Sequence, residues 1–239
     1  MSKKNRSLWI QTKKTRGEGF YKKIPKIGAV FYEKLMDSDM IKIQTEEIAS
    51  EILSKVDNGK ILDIGSGPGI LLKRINEINP KLNLYGLDIS KSMYKRAKKN
   101  LEGLEIELIL GNIMETEFDS NYFDLVTCTG SFYLWDKPIE SINEIHRILR
   151  NNSKALLFET YTDYDKNKFK ESLTENMKKI KLHKRPVAKR LLKKQLNITY
   201  TVKEVEKILK KSLFTDSFSI EKIILSNLPV WLRISLCKN

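Results

Sequence analysis

The sequence predicts an α/β protein: a mostly parallel sheet with helices on both faces and an antiparallel hairpin at its C-terminal edge. Three observations carry this. Short apolar runs of strand length alternate in order with runs of helical periodicity, which is the pattern of βαβ units. The first apolar run, Ile61, Leu62 and Ile64, ends in the glycine-rich turn Gly65-Ser66-Gly67-Pro68-Gly69, with Leu71, Leu72 and Ile75 opening a helix behind it. The last two strand-like runs follow each other across one short turn, as in a hairpin.

Taken in order, Met40 to Val56 reads as a helix before the first strand, and Ile70 to Ile78 as the helix after it. Leu82 to Asp88 alternates into a second strand, Lys91 to Asn100 into a helix, and Ile106 onward into a third strand ending at Gly111-Asn112-Ile113. Phe123 to Thr127 is a fourth strand and Ile139 to Leu149 a helix; a turn at Asn151-Asn152-Ser153 leads into a fifth strand ending at Glu159. Phe169, Leu173, Met177 and Ile180 then recur at helical spacing, with lysines largely off that stripe. Pro186 should break this helix, and Val187, Leu191 and Leu192 mark the apolar side of a second short one. Thr201-Val-Lys-Glu204 is a capping-box pattern starting a helix through about Leu209. Strands near Ser217 to Leu225 and Val230 to Cys237, joined through Asn227-Leu228-Pro229, close the chain.

The glycine turn carries the chemistry. A turn that lets a ligand approach backbone needs residues without a Cβ. A dinucleotide loop spaces its glycines G-x-G-x-x-G and rests a pyrophosphate on the helix N-terminus. Here the third glycine, Gly69, comes one place early, and Ile70 stands where that motif wants glycine. Asp63, two residues before Gly65, would repel a pyrophosphate but suits a ligand carrying cationic groups. Asp88, at the end of the second strand, can accept from both hydroxyls of a ribose.

The pattern D-x-G-x-G-x-G over Asp63–Gly69, with Asp88 at the second motif, Asn112 at the third and the run Asn121 to Trp135 at the fourth, resembles class I S-adenosylmethionine (SAM)-dependent methyltransferases. The likeness covers about Ile61 to Glu159 and is nearest to quinone-biosynthesis C-methyltransferases and small-molecule methyltransferases. It implies a Rossmann-like, seven-stranded sheet, SAM as methyl donor and S-adenosylhomocysteine (SAH) as product, with no metal. It also implies site residues. Backbone at Gly65, Ser66, Gly67 and Gly69 approaches the donor, Asp63 orients its amino group and Asp88 holds its ribose. Asn112 and the Ile113 amide read adenine, Ile89 and Met93 pack its faces or belong to the core, and Thr129 and Gly130 offer backbone to the methionine end. Asn112 departs from the family's usual aspartate, although an amide can still accept from the adenine amine. A general base is open among Tyr21, Tyr32, Tyr133, Trp135, Glu159 and His183; His146, amid a helix, reads as structural. Cys128, without an adjacent proline, reads as a buried strand residue rather than a nucleophile.

The 239 residues are expected to form one domain: an N-terminal cover and helix (1–56), a SAM-binding core (57–160), a basic helical cap (161–198), and a last helix with hairpin (199–239). Two cysteines are too few for a disulfide framework, and no apolar run reaches membrane-spanning length, so a cytoplasmic protein is expected. The formal charge of +14 is uneven: residues 1–26 carry +8 and residues 166–195 carry +10, leaving −4 for the rest. The second segment reads as a solvated face, an RNA patch or an anionic-membrane patch. The function expected is methyl transfer to a small, apolar or aromatic acceptor. Alternatives are an RNA or tRNA methyltransferase using both basic segments, and a SAM-binding protein without transferase activity.

Overall fold

The computed structural model describes residues 39–178, 182 and 185–239, with only the backbone of 187–188, 191 and 194–195. Tyr21, Tyr32, Ile180 and His183 lie outside the described residues. Seven strands form one sheet in the order β3-β2-β1-β4-β5-β7-β6. These are β1 (Lys60–Ile64), β2 (Asn83–Asp88), β3 (Ile106–Leu110), β4 (Phe123–Thr129), β5 (Leu149–Thr160), β6 (Phe218–Leu225) and β7 (Leu228–Lys238). The first five run parallel, and β7 is antiparallel to both β5 and β6.

Alternation along the strands divides the apolar side chains between two cores. On one face Leu62, Ile64, Leu87, Val126 and Leu157 are covered by helix α4 (Pro138–Ile148) and helix α7 (Val202–Leu209). On the other, Ile61, Leu84, Leu125, Leu156 and Phe158 meet α1 (Asp39–Leu53), α2 (Ile70–Ile78) and α3 (Lys91–Asn100). The capping box at α7 forms as its sequence requires: Thr201 Oγ1 accepts from Glu204 N–H at 3.2 Å, and Glu204 Oε2 accepts from Thr201 N–H at 2.9 Å.

Two turns differ from the sequence expectation. The hairpin turns at Ser226-Asn227, both at positive φ (47° and 60°), not through Asn227-Leu228-Pro229. A two-residue turn of that hand matches the twist of the strands, and Pro229 is accommodated near the start of β7. Likewise Asn151-Asn152-Ser153 does not separate helix from strand. It forms an irregularity inside β5, with Asn152 at φ 60° and the register to β4 shifting between Phe123 and Leu125.

Beyond β5 the chain makes an excursion and returns to where it left. Tyr161 bridges Tyr200 in parallel, and Thr162 N–H donates to the Tyr200 carbonyl at 3.0 Å. Between them stand α5 (Lys166–Lys178) and α6 (Arg185–Leu196), with Phe169, Leu173 and Leu196 buried against the core that contains Val230 and Trp231. The expected amphipathic face is thus present, and Lys166, Lys168, Lys170 and Lys178 are exposed on the other side.

Two contacts far apart in sequence fix the frame. The buried Lys238 Nζ donates to Asn121 Oδ1 at 2.7 Å and to the His146 and Leu149 carbonyls at 2.8 Å each, tying the end of β7 to the end of α4. Gly65, at φ 69°, leaves no room for a side chain: a Cβ would stand 2.2 Å from Ser131 Oγ and 2.6 Å from its Cβ. Ser131 Oγ itself donates to the Ile64 carbonyl at 3.2 Å, so the loop after β4 packs directly under the glycine turn.

Lys238→Met leaves three acceptors unpaired and should cost about 2–3 kcal/mol in denaturant unfolding; an unchanged midpoint would remove the clamp from the account. Gly65→Ala should cost about 2–4 kcal/mol through collision and left-handed strain. Adding Ser131→Gly should recover the collision part but not the backbone part, which a double-mutant cycle in urea reads directly.

Candidate active site

The carboxyl ends of the parallel strands lie along one edge of the sheet, with Asp63 on β1, Asp88 on β2, Thr129 on β4 and Glu159 on β5 among the residues singled out by sequence. At the end of β2, Asp88 Oδ2 accepts from Gly67 N–H at 2.8 Å and Oδ1 accepts from Ser90 N–H at 2.7 Å. The same strand holds the turn by its backbone: the Leu87 carbonyl accepts from Gly65 N–H at 2.7 Å and Ser66 N–H at 3.2 Å. Each Asp88 oxygen keeps a second lone-pair direction for a ligand hydroxyl. Partial burial pushes the Asp88 carboxyl upward, while the two N–H donors pull it back.

Gly69 sits at φ 79° as the N-cap of α2, and a Cβ there would meet Leu101 Cδ1 at 2.6 Å. Gly67 is different. Among the described residues an added Cβ would find nothing nearer than the Gly65 carbonyl at 4.0 Å, so they leave open space over it. The glycine turn is therefore closed toward the protein at Gly65 and Gly69 and open at Gly67.

Asp63 lies one strand over, on β1, in register with Gly86 and Thr127. It is 3% exposed, and its Oδ1 is buried without a hydrogen-bond partner among the described residues. Burial, with the Asp88 charge adding to it, pushes its carboxyl up to about 8. Thr129, at the end of β4, has a buried Oγ1 that also lacks a partner. Gly130 follows at φ 64°, its N–H donating to the Phe158 carbonyl at 2.8 Å.

Beside Asp88, Ile89 is 72% exposed, which excludes the core alternative for that residue, and Met93 is half-buried. Asn112 Oδ1 accepts from Met114 N–H at 3.1 Å, which orients the side chain and leaves its amide N–H groups available. The Ile113 side chain is buried in the core. Leu110, in register with Asp88 on β3, is an exposed apolar neighbour that sequence reading missed, because a strand residue ordinarily reads as core.

The base candidates separate. Glu159 has no exposed surface. Its Oε2 accepts from Tyr133 N–H at 3.3 Å and its Oε1 from Thr160 N–H at 2.8 Å, and Phe132 N–H donates as well. Burial pushes its carboxyl up to about 8 against those donors. Glu159 thus brackets the short 3-10 turn Phe132–Leu134. Tyr133 is buried, whereas Trp135 is half-buried and stands edge-on to Phe132 at 5.1 Å. His146 packs against Phe214 at 4.9 Å, and burial with the Lys238 charge holds its imidazole below the usual range. Cys128 is buried, its thiol 3.0 Å from Ser131 Oγ and pushed far up by burial. A further aromatic line, Tyr161 to Tyr164 to Phe169 (6.4 and 4.9 Å between centroids), runs from the end of β5 onto α5. Its signal in the sequence was position alone, directly after a strand's carboxyl end.

Residues 62–157 match a methyltransferase domain. The chain is 33% identical over 103 residues to the malonyl-[acyl-carrier protein] O-methyltransferase of Anoxybacillus flavithermus, covering 43% of this chain and 39% of that one. It is 27% identical over 109 residues to the demethylmenaquinone methyltransferase of Thermotoga maritima, covering 46% and 47%. The chain thus spans less than half the length of either relative. Among solved structures, the plantazolicin methyltransferase BamL, in complex with a triazolic desmethylPZN analog and SAH, superposes with a TM-score of 0.73 at 17% identity, over 98% of this chain and 99% of that one. Over residues 62–157 the chain thus carries a match to a methyltransferase domain, and the strand order and the glycine turn held by Asp88 agree with its resemblance to class I SAM-dependent methyltransferases.

Proposed function

We propose that this chain binds SAM across the carboxyl ends of β2, β1 and β4 and transfers its methyl group to a small, apolar or aromatic acceptor. The observation that carries the reading is Asp63: a buried carboxyl on β1, two residues before the glycine turn, pushed to about 8 and with an oxygen lacking any partner among the described residues. An acid in that position favours a cationic ligand: left alone it keeps its proton because a buried charge is costly, and a bound cation stabilises the ionised form as a pyrophosphate cannot. SAM supplies a methyl on a sulfonium, so the bond to be broken is already activated.

The protein's part is binding and alignment. Asp63 meets the donor's ammonium, and Gly67 lets backbone and ligand approach. Asp88 accepts the ribose hydroxyls with the lone pairs that Gly67 and Ser90 leave. Asn112 and the Ile113 amide read the adenine edge, while Ile89, Met93 and Leu110 cover its faces. Backbone at Ser66, Gly69 and Gly130, with the Thr129 hydroxyl, borders the methionine end. Glu159 holds the turn Phe132–Leu134 in place, and the half-buried Trp135 and Tyr164 offer an apolar, aromatic surface to the acceptor. In-line displacement follows from holding the acceptor atom behind the methyl. The demethylmenaquinone methyltransferase among the relatives favours an acceptor of quinone-like chemistry.

Asp63 gives this a sharp test. Its folded carboxyl sits near 8, far above the usual 3.8, so the free protein holds the proton at neutral pH. A cation bound beside it stabilises the ionised form and expels that proton. SAM affinity should therefore rise about tenfold from pH 6 to pH 7, where the ligand's own amine stays charged. In Asp63→Asn the dependence should vanish and binding weaken; a pH-independent dissociation constant in the unmutated protein would detach Asp63 from the donor. Because the folded state binds this proton more tightly than the unfolded one, stability without ligand should fall from about pH 4 to about pH 8, and Asp63→Asn should raise Tm at pH 8. Incubation with labelled SAM and quinol, phenol and lipid acceptors, read by product detection, tests transfer itself.

A further inference from the structure

We propose that the outward face of α6, at the crest of the α5–α6 excursion, docks on an anionic lipid bilayer. The inference rests on the apolar-acceptor reading, since an acceptor dissolved in lipid must be met at the lipid surface. α6 reads Arg-Pro-Val-Ala-Lys-Arg-Leu-Leu-Lys-Lys-Gln-Leu, with five basic residues and no acid. Lys189, Arg190 and Lys193 are exposed on it, and Lys166, Lys168, Lys170 and Lys178 are exposed on α5. Leu182, between the two helices, is 75% exposed, more than any other large aliphatic side chain among the described residues. An exposed apolar side chain in a stretch of sequence rich in lysine and arginine fits the boundary of a membrane, where stems and aliphatics enter the headgroup layer and charges meet lipid phosphates. The one aromatic of these helices, Phe169, is buried, so none is available there to stack on bases.

Placement supports the same partner. The two ends of the excursion are pinned side by side at Tyr161 and Tyr200, at the carboxyl end of β5. Its inner side carries Phe169 and Leu173 against Trp231 and continues the aromatic line from Tyr161. One surface is thus packed on the core beside the carboxyl end of β5, and exposed lysines stand off that stripe.

The test uses the full chain with SAH and vesicles of phosphatidylcholine with and without phosphatidylglycerol, at physiological ionic strength. The protein should sediment with the anionic vesicles only. The combined variant Lys189→Gln, Arg190→Gln, Lys193→Gln should bind them about 100-fold more weakly, at roughly 1 kcal/mol per charge, and Leu182→Asp should also weaken binding. Three results would overturn the inference: no binding to anionic vesicles, unchanged binding by the triple variant, or charge-dependent capture of bulk tRNA in place of vesicles. SAM titration of both chains reports on the donor site separately, so intact SAM binding without vesicle binding defeats only the docking surface.

Discussion

The carboxylate of Asp88 grips Gly67 N–H with one oxygen and Ser90 N–H with the other, and the candidate site depends on that bracket. The turn Gly65–Gly69 contains three residues at positive φ, a conformation glycine reaches without cost but which it does not enforce. What selects it is the surroundings. Asp88 and the Leu87 carbonyl hold the turn from β2, Ser131 fills the space beneath Gly65, and Leu101 fills the space beside Gly69. Among the described residues open space remains over Gly67, so the contacts that stabilise the loop also decide which part of its backbone they leave uncovered.

Two buried acids show how environment assigns a role. Asp63 and Glu159 are both sealed at the ends of parallel strands, and burial pushes both to about 8. Glu159 receives N–H donors from Phe132, Tyr133 and Thr160, so its oxygens are provided for within the protein. Asp63 keeps an oxygen with no partner among the described residues. A buried polar atom left unmatched costs on the order of 1–3 kcal/mol. Such a cost is intelligible where a ligand later supplies the missing charge, which is why Asp63 rather than Glu159 carries the functional reading.

The parallel core was legible because its strands are apolar at period two, its helices are periodic, and its ligand turn is written in glycines. The places of Asp88 and Asp63 on β2 and β1 were legible from the strand pattern and the spacing of the glycines. What escaped was set by contacts across the chain. Nothing local marks Ser131 as the floor under Gly65, or Tyr200 as the residue that closes the excursion beside Tyr161. Glu159 looked like a base because of its strand end, and only the fold shows three N–H groups converging on it. Pro229 drew the hairpin turn to itself as the strongest local breaker, while the turn formed at Ser226-Asn227, where two residues accept positive φ. Ile89 could not be divided between core and ligand face from sequence, since both uses want an aliphatic side chain.

Calorimetric titration with SAM, SAH and, as a control, NADH tests the central claim most directly. If Asp63, the open glycine turn and Asp88 form an adenosyl-donor site, SAM and SAH should both bind with micromolar dissociation constants while NADH, whose pyrophosphate faces Asp63, should not bind. Absence of heat with both adenosyl ligands, or binding of NADH at comparable strength, would contradict it.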